Sequence, residues 1–320
     1  MGDDSTQREV LKLSNGYDKM YTISNNVGDR YTVNSQHILS LKYGSKKKIV
    51  DRKDKECYQI RWFDNKSVSL KGKSYSYKKA DKIEVLKIAK REYEGTEEDL
   101  YVDISIENYI KLREDKDFFR MLKGYKKAVE FKDQKVSIDP YLMGTWIGDK
   151  TTNKVDVNEV DIVTYIMKDL GLMNNKFIPD NYKYNTRTKR LRILAGIIDS
   201  CGKYYEKSNN FEITHNNERV LEDIDYITRS LGLSAIKKGK KININGKGVE
   251  EIPTRRISKA KDKKYTKDIL VSAIKIQEYG IGEYYGFEIT GNGRFLLSDF
   301  IVTHNSSILT QVVQKFYDPN

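Results

Sequence analysis

The feature that most constrains this chain is a change of residue pattern along its length. From Val10 to about Val85, short runs of alternating apolar and polar residues recur at 10–13, 20–24, 30–33, 37–42 and 58–63. Asn-Gly, Asn-Asn and Gly-Asp pairs separate them, which is the turn chemistry expected in an all-β unit. The same style returns at 274–276, 284–290, 295–297 and 300–302, with Thr-Gly-Asn-Gly at 290–293 as a turn. Between these ends, starting near Leu86, apolar residues fall at helical spacing over 105–112, 116–122, 157–170 and 218–231. Runs at 204–214 and 240–244 read as strands. Two β-rich ends around a mixed centre is the order produced when one domain is inserted into a loop of another.

A chain of 320 residues, 38% of them hydrophobic, can bury more than one core. No apolar run approaches the ~18 residues of a membrane-spanning helix. The opening Met1-Gly2-Asp3-Asp4 lacks the basic and apolar regions of a signal peptide, so the expectation is a non-secreted, cytoplasmic protein. Two cysteines, Cys57 and Cys201, support neither a disulfide framework nor a zinc site. The net charge of +12 is uneven: residues 237–268 hold twelve Lys or Arg against four acids. Lys237, Lys238, Lys240, Lys241, Arg255 and Arg256 belong to that block. A surplus of this kind neutralises phosphates and releases counterions on double-stranded DNA, and it equally describes a solvated loop.

The segment 284–307 reads Tyr-Tyr-Gly-Phe-Glu-Ile-Thr-Gly-Asn-Gly-Arg-Phe-Leu-Leu-Ser-Asp-Phe-Ile-Val-Thr-His-Asn-Ser-Ser and closely resembles the C-terminal splicing blocks of inteins. A side-chain amide can attack its own main-chain carbonyl only in Asn or Gln, closing a cyclic imide and cutting the chain, and Asn305 is placed to do so. A neighbouring imidazole, His304, is placed to move protons for this poor nucleophile and poor leaving group. Ser306 is placed to accept the upstream acyl group. Residues 31–42, Tyr-Thr-Val-Asn-Ser-Gln-His-Ile-Leu-Ser-Leu-Lys, resemble the intein block with a Thr-x-x-His pattern. Asn34 stands in the Thr position and His37 in the His position. The resemblance implies that His37 activates the upstream peptide while residue 34 hydrogen-bonds near the developing oxyanion. The third histidine, His215, reads as a surface turn residue. Gly286 and Gly293 stand where the family often places an assisting Asp and His, with Glu288, Arg294 and Asp299 as substitutes.

The resemblance implies a mainly β Hint (Hedgehog/intein) splicing domain formed from both chain ends, 1–85 and 267–305. An inserted α+β region would span 86–266, and a host (C-extein) segment 306–320, whose apolar positions 308, 309, 312, 313 and 316 form a helical face. Splicing needs no cofactor. No N-terminal nucleophile is found, so the expected partner, besides the host extein, is an N-terminal intein fragment acting in trans; an early split and a truncated gene record both fit.

Within the middle, Leu-Met-Gly-Thr-Trp-Ile-Gly-Asp-Lys at 142–150 and Leu-Ala-Gly-Ile-Ile-Asp-Ser-Cys-Gly at 194–202 resemble the paired LAGLIDADG motifs of homing endonucleases. The resemblance implies close packing of two helices through Gly144, Gly148, Ala195 and Gly196, with one acid from each at a shared Mg²⁺ site. Asp149 is that acid and metal ligand in the first motif, while Lys150 follows where a Gly is usual. In the second, Cys201 holds the position, and a neutral thiol is a poor Mg²⁺ ligand. Asp199 takes the earlier Asp position. Only 43 residues, 151–193, separate the motifs. The expectation is a degenerate endonuclease with DNA binding through the basic block, Mg²⁺ being required only if cutting persists; the alternative is an active enzyme making double-strand breaks.

Overall fold

The structure, a computed structural model, describes residues 1–25, 29–43, 49–64, 69–94, 101–111, 120–149, 162–173, 175–258, 260–261 and 268–304. In chain order its elements are β1 (Val10–Asn25), β2 (Arg30–Asn34), β3 (Ile38–Tyr43), β4 (Ile49–Arg52), β5 (Cys57–Asp64), β6 (Ser69–Ser76), α1 (Lys82–Glu94), β7 (Tyr101–Ser105), α2 (Ile106–Lys111) and β8 (Leu122–Tyr125). There follow α3 (Pro140–Gly148), α4 (Ile162–Asp169), α5 (Asp180–Lys183), α6 (Arg187–Cys201), β9 (Gly202–Tyr205), β10 (Asn210–Thr214), α7 (Glu218–Ser230), β11 (Ser234–Lys238) and β12 (Lys241–Asn245). The chain returns through β13 (Val271–Ser272), β14 (Ile274–Ile289), β15 (Arg294–Leu296) and β16 (Val302–His304). The protein is mainly β, with several antiparallel sheets and some helices. Among the described residues, no helix is long and apolar enough to cross a membrane.

Two compact units emerge, each assembled from separated stretches. The β unit holds Arg8–Tyr125, Val271–Phe295 and the strand at 302–304. The α/β unit holds Met1–Gln7, Lys126–Leu270 and Leu296–Ile301.

In the β unit, β1 pairs with β14 from Val10↔Ile289 to Asn25↔Ile274, and β2 flanks β1. The runs at 10–13 and 20–24 are therefore one strand, and those at 274–276 and 284–290 form its partner. The expected Asn15-Gly16 turn lies inside β1, opposite Tyr285 and Tyr284. Gly16 leaves room for a ring there: a Cβ would stand 3.0 Å from Tyr284 Oη.

A second sheet has the order β13–β8–β3–β7. Val102 and Ile104 of β7 bury against Leu39 and Leu41 of β3, so residues 101–125 belong to the β unit. This corrects the boundary expected at 85/86. The chain leaves the unit at Tyr125 and returns at Val271, which are direct partners across β8 and β13. Leaving and re-entering the sheet at paired positions of adjacent strands keeps its hydrogen bonding intact. The helix expected over 105–112 forms at Ile106–Lys111. That expected over 116–122 does not hold at its end, since Leu122 opens β8; residues 112–119 lie outside the described ones. Helix α1 begins at Lys82, inside the stretch read as all-β, and places Val85, Leu86, Ala89 and Tyr93 against Tyr58 and Ile60.

The α/β unit has a four-stranded antiparallel sheet in the order β11–β12–β10–β9. The run at 204–214, expected as one strand, is the hairpin β9–β10. Helix α7 presents Val220, Leu221, Ile224 and Ile227 to the core, a helical stripe that buries with Phe211, Ile213, Ile242 and Ile244. Asn217 caps it by accepting from the Val220 N–H at 3.3 Å. The helix expected over 157–170 is described as Ile162–Asp169, with 157–161 outside the described residues.

Candidate functional site

Two clusters match the residues singled out by sequence. In the β unit, His37 lies just before β3 and is fully buried. Its Nε2 is 2.7 Å from Oγ1 of Thr303, which is buried on β16. This bond joins residues 266 positions apart and sets His37 beside the strand that ends in His304. The backbone locks the ring's position: the His37 N–H donates to Asn34 O at 3.2 Å, and the His37 carbonyl accepts from Ile106 N at 3.1 Å. His304 follows Thr303 and is half-buried. Asn305 and Ser306 lie outside the described residues.

Asn34 is buried in the same cluster. Its Nδ2 donates to Asp18 Oδ2 at 3.2 Å, and Ser35 Oγ donates to the same oxygen at 2.8 Å. Asn34 Oδ1 is buried with no hydrogen-bond partner among the described residues. The expected donor at position 34 is thus bonded to a carboxylate, and the unsatisfied group is an acceptor, suited to an N–H rather than an oxyanion. Sequence reading missed both Asp18 and Thr303. Of the three proposed substitute helpers, Arg294 makes a two-point bond to Asp103, with Nη2 to Oδ2 at 2.8 Å. Glu288 is exposed on β14. Asp299 accepts from the Ile301 N–H at 3.1 Å.

In the α/β unit, α3 and α6 carry the paired motifs and pack without intervening side chains. A Cβ on Gly144 would fall on the carbonyl oxygen of Ile193, and one on Gly196 on that of Tyr141. At Gly148 it would stand 2.8 Å from Ser200 Cβ. Ser200 Oγ donates across the pair to Thr145 O at 3.0 Å. Proline at the first position and Asp139, accepting from Tyr141 N at 2.9 Å, begin α3.

The C-terminal end of this pair brings Asp149 and Cys201 together with a third residue that the sequence reading passed over. Lys176, almost fully buried, donates from Nζ to the carbonyls of Trp146, at 2.9 Å, and Asp149. It also lies 5.7 Å from the Trp146 ring centre. Burial pushes its ammonium below the usual lysine range, opposed by Asp149 and Cys201. Cys201 Sγ lies 3.4 Å from Ile197 O. Mg²⁺ requires several hard oxygen donors. Here Asp149 offers a carboxylate, Cys201 offers a soft thiol, and a cation stands beside them. Among the described residues no three His, Cys, Asp or Glu side chains converge to hold a metal. These residues do not fit a divalent ion. His215 corrects the expectation of a surface turn residue: it is 5% exposed, its Nε2 lies 3.2 Å from Ile147 O, and its Nδ1 accepts from Asn217 N at 3.1 Å.

The six basic residues fall in two places. Lys237, Lys238, Lys240 and Lys241 sit on the β11–β12 hairpin, which turns at Gly239 with φ +55. Two are charge-compensated: Lys237 pairs with Glu218, and Lys241 with Glu212 at 3.0 Å, which raises the Lys241 pKa. Arg255 and Arg256 are exposed on a segment anchored by Asp199. That carboxylate accepts from the N–H groups of Arg255 (2.6 Å), Arg256 (3.1 Å) and Ile257 (2.8 Å) and from Tyr141 Oη (2.9 Å). Burial alone pushes Asp199 up, and the hydrogen bonds outweigh it, leaving the carboxyl below its usual range. Arg255 also stacks on Tyr141, 3.9 Å from its ring centre. Across the sheet, Lys203, Glu212, Asn243 and Ile236 stand opposite one another and so share a face.

Comparison with known proteins bears on the second cluster. A family model described as homing endonuclease matches residues 178–270, which include α6, α7 and β9 to β12 but neither α3 nor Lys176. The replicative DNA helicase DnaB of Mycobacterium intracellulare is 24% identical over 132 residues. That match covers 36% of this chain and 23% of the helicase, so the likeness reaches about a quarter of the relative's length.

Proposed function

We propose that the chain is an intein, its β unit catalysing protein splicing. The reading is supported above all by the His37 to Thr303 hydrogen bond, which ties the block around residue 37 to the strand leading into Asn305. Asn305 attacks its own carbonyl, His304 transfers the protons, and the chain is cut before Ser306. Ser306 accepts the upstream acyl group, which comes from a nucleophile on an N-terminal fragment, and the tail 306–320 is the host segment. His37 works at the upstream junction, with Asn34 accepting an N–H through its unsatisfied Oδ1. No cofactor takes part. The test is release of the 306–320 segment, followed on gels for the chain alone and with an N-terminal fragment added. Asn305→Ala is expected to abolish release and Asp149→Ala to leave it unchanged; release from Asn305→Ala overturns the reading.

A second activity, DNA binding by the α/β unit, is favoured by the homing endonuclease match, which bears on it more directly than any comparison bears on splicing. The open sheet face and the β11–β12 hairpin supply a two-stranded ribbon of a size the DNA major groove admits. Lys238, Lys240, Arg255 and Arg256 take the phosphates. Cutting is not part of this proposal, because the groups at the ends of α3 and α6 do not fit the metal it needs. A plasmid carrying the uninterrupted host site, incubated with Mg²⁺ or Mn²⁺, tests that point: binding without cleavage is expected, and clean double-strand breaks contradict it.

A further inference from the structure

We infer that the ammonium of Lys176 takes the place of a divalent cation between the two motif helices, making the α/β unit a metal-independent module. The C-terminal ends of α3 and α6 meet where Gly148 approaches Ser200 and Ile197, one residue short of Cys201 at the end of α6. Each helix end carries unsatisfied carbonyls and about half a negative charge, and two converging ends demand a cation. Lys176 supplies it from outside both helices. Its Nζ is held by the carbonyls of Trp146 and Asp149, over the Trp146 ring and in the field of Asp149 and Cys201. The neighbouring carbonyl of Ile147 is met by His215. The last turn of α3 is thus capped by side chains of two other segments.

A second cation in this pocket would meet a fixed positive charge at close range, with a thiol where a carboxylate would be needed to offset it. Coulomb repulsion of this kind is weakly screened in a partly buried site. The thiol of Cys201 and the burial of Lys176 belong together on this account: with a thiol and not a carboxylate at the end of α6, the charge of one lysine is sufficient. The inference concerns metal alone and stands apart from the DNA proposal.

Terbium(III) luminescence sensitised through Trp146 tests it on the full-length chain. The wild-type protein is expected to give no saturable signal. Lys176→Ala should gain one that Mg²⁺ competes away and that a further Asp149→Asn change removes. Lys176→Met, which retains the side-chain volume, is read in the same way if the alanine variant does not fold. A saturable site in the wild type that Asp149→Asn abolishes overturns the inference, as does a folded Lys176 variant that gains no site. In parallel, EDTA should leave affinity for a host-site duplex unchanged. Failure to bind that duplex at all would count against the DNA proposal, whereas the terbium arm judges Lys176.

Discussion

The two units assemble their key groups in opposite ways. In the β unit, the frame is irregular and strand-built, and long-range pairing sets His37 against Thr303, one residue from His304. In the α/β unit, the frame is regular, two helices locked by glycines, but the groups at its end, the Asp149 carboxylate, the Cys201 thiol and the buried Lys176 ammonium, are a poor donor set for Mg²⁺. The glycines that let the helices touch, Gly144, Gly148 and Gly196, are different residues from the polar groups Asp149, Cys201 and Lys176 at the tip, so packing and terminal chemistry rest on separate residues. The β unit has no such separation, since Thr303, whose hydroxyl bonds His37, is itself part of the strand that carries His304.

That contrast can be broken first where the effect is largest. His304→Ala is expected to slow release of the tail by on the order of 10²-fold or more, from loss of the proton-transfer group. The same assay on Lys176→Ala should show an unchanged rate; a joint loss would erase the distinction between the units. Next comes Arg190, fully buried, which donates to Asn185 O, Val129 O and Ser230 Oγ. Arg190→Met orphans these acceptors and should destabilise the α/β unit by about 2–4 kcal/mol, read by denaturant unfolding, with tail release unaffected. Gly196→Ala should cost about 1–3 kcal/mol in the same unit by forcing α3 and α6 apart. In the β unit, Thr303→Val removes the hydroxyl bonded to buried His37 and should cost about 1–2 kcal/mol, with tail release slowed as well.

The smallest expected effect is a pH dependence. Asp199 has a depressed folded-state pKa, so its stabilisation is fully present above the ordinary carboxylate value and is lost as pH falls through the lower folded value. Unfolding curves of the wild type should therefore converge with those of Asp199→Asn in acid and diverge at neutral pH. A constant gap at every pH would show that the carboxylate's charge contributes nothing.

Much of the fold was legible because local pattern and burial agree along most strands. Alternation located β2, β3, β5 and β12, and the helical stripe located α7 with a boundary within a residue. Where the reading failed, long-range pairing overrode a local signal. Asn15-Gly16 has the chemistry of a turn but is carried through by continuous pairing with β14. Residues 101–125 look like the start of a new domain but complete a sheet begun at β3. The candidate clusters were half legible. Resemblance to known motifs singled out His37, His304, Asp149 and Cys201. Lys176 and Asp18 sit in polar stretches with no periodicity, and only the fold shows where they point. His215, read as a surface residue, is buried because the end of α3 needs a donor for Ile147 O.

The central claim is that the carboxamide of Asn305 severs the chain. Intact-mass analysis of the purified protein, alone and combined with a fragment bearing an upstream nucleophile, measures this directly. The account requires a product ending at residue 305 as a succinimide, lighter by water than the hydrolysed form, together with the free tail beginning at Ser306. A chain that retains its full mass under both conditions, with no succinimide terminus, contradicts it.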